Sequence, residues 1–203
     1  VRAAALLVFA LSASGPAFAE TTDAAVTRVE GGVTIVRGTQ TFPAEAGTRL
    51  SEGDVVKTAP GATADFTMNA VAGCRVMPET ECAIADPKKG SMRVRLAGGK
   101  ILFNLEKLPA ESSFRVETPT AIAAVRGTQF SAESGGNGSS FAVRDDAIEV
   151  SGLSPDGTPT GETIVVEAGF ALDANSSGLE GIRPASGLEL TSIEQVGTVK
   201  TCA

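Results

Sequence analysis

Thr118-Pro-Thr-Ala-Ile-Ala-Ala-Val-Arg-Gly-Thr-Gln-Phe130 is the stretch on which the reading of this chain turns. Proline has no ladder donor, so Pro119 belongs at a strand start or edge. From Ala121 to Val125 the side chains are small or branched, as in a strand covered on both faces. Ala123 and Val125 form a row of odd positions, whereas Phe130 and Ala132 continue on even ones. The inward parity therefore changes near Gly127. A β-bulge or a sharp corner produces such a change, and glycine enters the positive-φ conformations it needs without steric cost.

Around this stretch the chain reads as short strands divided by turn clusters. Gly32 to Val36 is β-branched and stops at Arg37-Gly38, and Thr48 to Thr58 is pinched at Gly53-Asp54. Ala62, Ala64, Phe66 and Met68 alternate with Thr63, Asp65 and Thr67, which predicts a sheet with one wet side. Met92, Val94 and Leu96 alternate with Arg93 and Arg95, and further rows follow at Ile101, Phe103 and Leu105, then at Phe114, Val116 and Thr118. Turns recurring about every ten residues without a long helical period point to an all-β sandwich, barrel or solenoid. Val36-Arg-Gly-Thr-Gln40 echoes Val125-Arg-Gly-Thr-Gln129, either as a repeated strand-corner unit or by chance.

The Thr-Pro-x-Ala strand leading into Val-Arg-Gly-Thr-x-Phe resembles the signature of the FecR-domain family, the periplasmic domain of ferric-citrate-type sigma regulators. Leu50-Ser-Glu-Gly-Asp-Val-Val-Lys-Thr58 is similar to a second family stretch at a fitting distance upstream. The resemblance runs from about Val26 to Asp173. It marks Gly53, Asp54, Thr118, Pro119, Arg126, Gly127, Thr128 and Phe130 as motif positions with a structural role. It also implies short strands stacked in a twisted, solenoid-like arrangement, which periodicity by itself does not separate from a sandwich. For function it implies the outer half of a regulator that senses an occupied outer-membrane receptor.

Arg2, the apolar run Ala3 to Leu11 and Ala17-Phe-Ala19 have the form of a signal peptide cleaved after Ala19. The run is too short for the ~18 apolar residues that span a bilayer. The expected organisation is a leader at 1–19, a linker at 20–25, the β domain at 26–173 and a tail at 174–203. In that tail, Thr191-Ser-Ile-Glu194 has capping-box spacing for one short helix. With no anti-sigma segment or membrane helix in view, the chain is expected to act as a stand-alone periplasmic or secreted module with an envelope protein as partner.

Removing Arg2 from the 17 Lys and Arg leaves 16 against 24 Asp and Glu, a net charge of −8 that repels nucleic acid. The chain has no His, which excludes Ser-His-Asp and Cys-His catalysis and His-ligated zinc. It has no Trp or Tyr for stacking on sugars. No catalytic group, cofactor or metal set is expected.

Cys74 and Cys82 fall on one predicted face of adjacent strand pieces, so they form either a loop-closing disulfide worth about 2 kcal/mol or two small buried thiols. Cys202 is left over. Asp145-Asp146, with Asp54 and Asp65, raises the rival of a carboxylate-based polysaccharide hydrolase or lyase. Adjacent strand residues point to opposite faces, however, and favour a solvated hairpin rim. Arg126, beside Gly127, is expected to bond carbonyls exposed by a bulge, with a ligand-facing role as the sharper alternative. Lys88, Lys89, Arg93 and Arg95 form a small basic island, read as a solvated face and more weakly as a docking patch.

Overall fold

The computed structural model describes residues 24–199 apart from residue 137; residues 1–19, expected to be a leader, and Cys202 lie outside the described residues. The strands are β1 (Ala24–Glu30), β2 (Val33–Arg37), β3 (Gln40–Pro43), β4 (Val55–Thr58), β5 (Thr63–Met68), β6 (Ala72–Val76), β7 (Glu81–Asp86) and β8 (Ser91–Leu105). They continue with β9 (Ser113–Glu117), β10 (Ala121–Val125), β11 (Gln129–Gly135), β12 (Gly138–Val143), β13 (Ala147–Leu153), β14 (Pro159–Glu167), β15 (Phe170–Asn175) and β16 (Gly178–Pro184). A helix α1 (Gly187–Glu194) and a 3-10 turn (Gln195–Thr198) follow.

Two layers share the long strand β8. One runs β1-β5-β6-β8-β11-β12-β15-β16, using the second half of β8. The other runs β3-β2-β4-β7-β8-β9-β10-β13-β14, using the first half. The chain thus lays hairpins alternately into the two layers while advancing along both. This is the expected all-β architecture, sandwich-like in cross-section and solenoid-like in path. β8 and β9 pair in parallel because β8 crosses to the other layer and residues 106–112 bring the chain back beside its start.

The next crossing is the quoted stretch. β10 pairs with β9 and β13 in one layer, and β11 pairs with β8 and β12 in the other. Gly127 lies between them at φ +137°, and a Cβ there would stand 2.6 Å from Lys107 Cα and 2.9 Å from Glu106 O. Both contacts are backbone, so the returning loop can pass only where a side chain is missing.

Inward rows from both layers form one core. Phe103 stacks on Phe130 at 4.6 Å and meets Phe114 edge-on at 5.6 Å, so one aromatic trio ties the two layers together. A smaller cluster covers the outer face of the β1–β16 layer, where Leu102, Ala142 and Ala171 receive Ile193, Val196 and Val199 from the helical end. Arg183 of β16 anchors that end by bonding Asp173 Oδ2 at 2.7 Å and Glu189 Oε1 at 2.8 Å.

Three expectations need correction, and one open alternative is decided. The pairing does not stop at Asp173, since β15 and β16 form a hairpin through Pro184. The capping box is Ser186 with Glu189, not Thr191 with Glu194. Asp65 is on the outer face as expected, but it is buried because Arg75, which grips it, is itself tied to Gln195 O beneath the helical end. Finally, Val36–Gln40 is a tight turn joining β2 to β3 within one sheet, whereas Val125–Gln129 crosses between sheets. The same five residues serve two geometries because their surroundings differ.

Candidate interaction surface

Half of the motif residues, Asp54, Thr118, Thr128 and Phe130, are buried inside the fold. Thr118 closes the turn between β9 and β10, its Oγ1 accepting from Ala121 N and donating to Ala121 O, each at 3.0 Å. Pro119 is exposed in that turn, ahead of β10. The Thr128 hydroxyl donates to Asp145 O, and Phe130 is the stacked member of the aromatic trio. Upstream, Gly53 N donates to Ile84 O.

Asp54 is 1% exposed and accepts from Arg37 Nε at 2.8 Å and Nη2 at 2.6 Å, and from Ser51 N at 2.8 Å. Burial opposes its charge, and Arg37 with the Ser51 amide more than offsets that, so its pKa lies below the usual carboxylate value. Arg37 also lies over the Phe42 ring at 5.5 Å.

Arg126 departs from expectation. The carbonyls at the corner already have backbone donors, Leu108 N to Arg126 O at 2.8 Å and Leu105 N to Thr128 O at 3.0 Å. Its guanidinium is therefore not needed there, and the side chain is exposed with no hydrogen-bond or ion-pair partner among the described residues.

Cys74 and Cys82 are both free and fully buried, one in each layer, so the structure has two thiols rather than the disulfide. Burial pushes both thiols up, Cys82 to about 12. Asp145 and Asp146 are exposed in the turn after β12 and belong to no cluster of three or more metal-ligating side chains among the described residues, as fits a solvated rim.

The layer opposite the helix carries the surface of most interest. Strand alternation places Arg93 and Arg95 of β8 and Arg115 of β9 on its outer side, with Arg126 at the end of β10. Glu117 pairs with both Arg93 at 3.3 Å and Arg95 at 3.2 Å. Arg115, like Arg126, has no such partner among the described residues. The two border a shallow depression of about 300 Å³ whose half-buried lining is Ser113, Ala124 and Ala147, with exposed Glu149 and Val165 on the far side. Ala124 sits opposite Arg115 on one side and Glu149 on the other. Arg115 was not singled out in the sequence, although its place between inward Phe114 and Val116 puts it on the same face as Arg93 and Arg95.

The profile of the family described as FecR protein matches residues 54–149, which contain the whole corner stretch and the upstream motif from Asp54. No curated protein matches the chain. Among solved structures, two of a candidate anti-sigma factor from Parabacteroides distasonis ATCC 8503, at 1.65 and 2.50 Å resolution, share the fold with a TM-score of 0.57 and 15% identity. Each alignment covers 70% of this chain and 64% of that one, so the chain spans less than two thirds of the length of those structures. With its corner motif, its buried Asp54 and its two-layer winding, residues 54–149 of this chain are a FecR-family domain.

Proposed function

We propose that this chain is a non-catalytic FecR-type module, exported to the periplasm or beyond, that holds another envelope protein as part of a regulatory relay. The observation that carries this reading is the FecR-family match over residues 54–149. The likeness of fold to candidate anti-sigma factors supports the regulatory part. The surface supports a binding role: the outer face carrying Arg115 and Arg126 meets no covering element among the described residues, and the edge strand β14 exposes Pro159 to Thr163. Such an edge offers main-chain hydrogen bonds to an added strand.

The test is capture of a specific partner from a periplasmic extract by the immobilised mature chain, with release by the same chain in solution. A captured envelope protein that competes in this way is the expected result. Failure to capture one, together with turnover of an envelope polysaccharide that disappears in Asp145→Asn, would replace the reading with a hydrolase or lyase.

A further inference from the structure

The described arginines of this acidic protein are matched with acids almost throughout. Arg28 pairs with Glu30, Arg37 with Asp54, Arg75 with Asp65, Arg93 and Arg95 with Glu117, Arg144 with Glu194, and Arg183 with Asp173 and Glu189. With 24 acids against 17 bases, a surface arginine has carboxylates in abundance. Arg115 and Arg126 nevertheless border one depression without such a partner among the described residues.

Register shows why they form a unit. Arg115 is directly opposite Ala124, and Arg126 follows one residue past the end of β10, so both guanidinium-bearing residues border the same depression. Glu149 lies on the other side of Ala124, two strand spacings or about 10 Å from Arg115, and makes no ion pair with it in this structure. Ser113, Ala124 and Ala147 keep the space between low, so a group arriving from outside meets two guanidiniums over a shallow floor.

We infer that this depression receives the carboxylates of an acidic protein segment, with Arg115 and Arg126 as the paired acceptor site for its charge. A guanidinium presents a planar fork that matches a carboxylate with two parallel hydrogen bonds. Arg93 and Arg95, which share the single Glu117, extend the positive field along the same face. A nucleic acid is the poorer fit, because the net charge of −7 repels a phosphate backbone over the rest of its length. The inference rests on the binding reading above and names the face and the partner's chemistry.

The experiment uses the whole mature chain and a fluorescein-labelled heptapeptide of alternating Glu and Val, with a Lys-Val peptide and inorganic phosphate as comparisons. Anisotropy should show salt-sensitive binding of the Glu peptide, and amide shift changes should centre on Ala124, Arg126 and Glu149. The double variant Arg115→Ala/Arg126→Ala should weaken that binding about tenfold or more, with an unchanged melting temperature. Glu149→Gln, which removes the nearby repelling charge, should strengthen it. Absence of Glu-peptide binding, equal binding by the double variant or by the Lys peptide, or shift changes confined to another face would overturn the inference, as would tighter binding of phosphate. Partner capture that survives the double variant would reject this face while leaving the binding reading intact.

Discussion

Gly127→Ala measures how much the corner depends on a missing side chain. The new Cβ would lie 2.6 Å from Lys107 Cα, 2.9 Å from Glu106 O and 3.0 Å from Lys107 N, all backbone atoms that no rotamer change can move. It would also hold an L-residue at φ +137°. Backbone strain of about 1–3 kcal/mol and overpacking of about 1–3 kcal/mol together give a loss near 4 kcal/mol. For a domain of this size that lowers the melting temperature by about 8–16 °C. Gly38→Ala is the control, since it has the same neighbours in sequence, φ +59° and no atom within 4 Å of its added Cβ. It should cost about 1 kcal/mol, or about 2–4 °C. Thermal unfolding followed by circular dichroism reads both. A Gly127→Ala melt no lower than that of Gly38→Ala would refute the close approach at the corner.

Arg75→Met leaves Asp65 buried without its partner and removes the bond to Gln195 O; urea unfolding should show a loss of about 3–5 kcal/mol, much of it recovered in Asp65→Asn/Arg75→Met. Glu189 is held by the Arg183 hydrogen bond, against the cost of burial, at a pKa of about 2 rather than 4.5. Because the folded value is the lower one, its stabilisation is complete above pH 4.5 and fades as the pH falls towards 2. The gap in melting temperature between the parent chain and Glu189→Gln should therefore be widest near neutrality and close at about pH 2. In Cys202→Ser, a thiol reagent at pH 8 should leave the folded chain unlabelled and find two thiols after unfolding, because at a pKa of about 12 only about one Cys82 in ten thousand is thiolate. Arg126→Leu should melt within about 0.5 kcal/mol of the parent, as an exposed side chain without partners requires, and a large drop would restore a structural role for its guanidinium.

The features legible in the sequence were those carried by neighbouring residues. Alternation in Thr63–Met68 and in the first half of β8 gave the inward rows directly, and the parity change at Gly127 located the crossing between layers. What sequence spacing could not show was contact over long separations. Asp65 reads as wet in sequence because the segment that covers Arg75 lies some 120 residues downstream. Arg126 reads as a donor to carbonyls that the backbone amides of Leu105 and Leu108 already serve. The β15–β16 hairpin was hidden because its edge strand leaves Ile182 half exposed and its outward positions polar, so no clean alternation marks it. The two copies of Val-Arg-Gly-Thr-Gln show the same limit, since one turns within a sheet and the other leaves it.

Where the chain goes after Val125 decides the two-layer winding, and proton–proton contacts measured by NMR report it. Contacts joining Val125 to Phe114 and Ile148, and separate contacts joining Phe130 to Phe103 and Val143, are predicted by β10 and β11 lying in different layers. A ladder continuing unbroken from Ala121 through Gly135 along a single partner strand would contradict it.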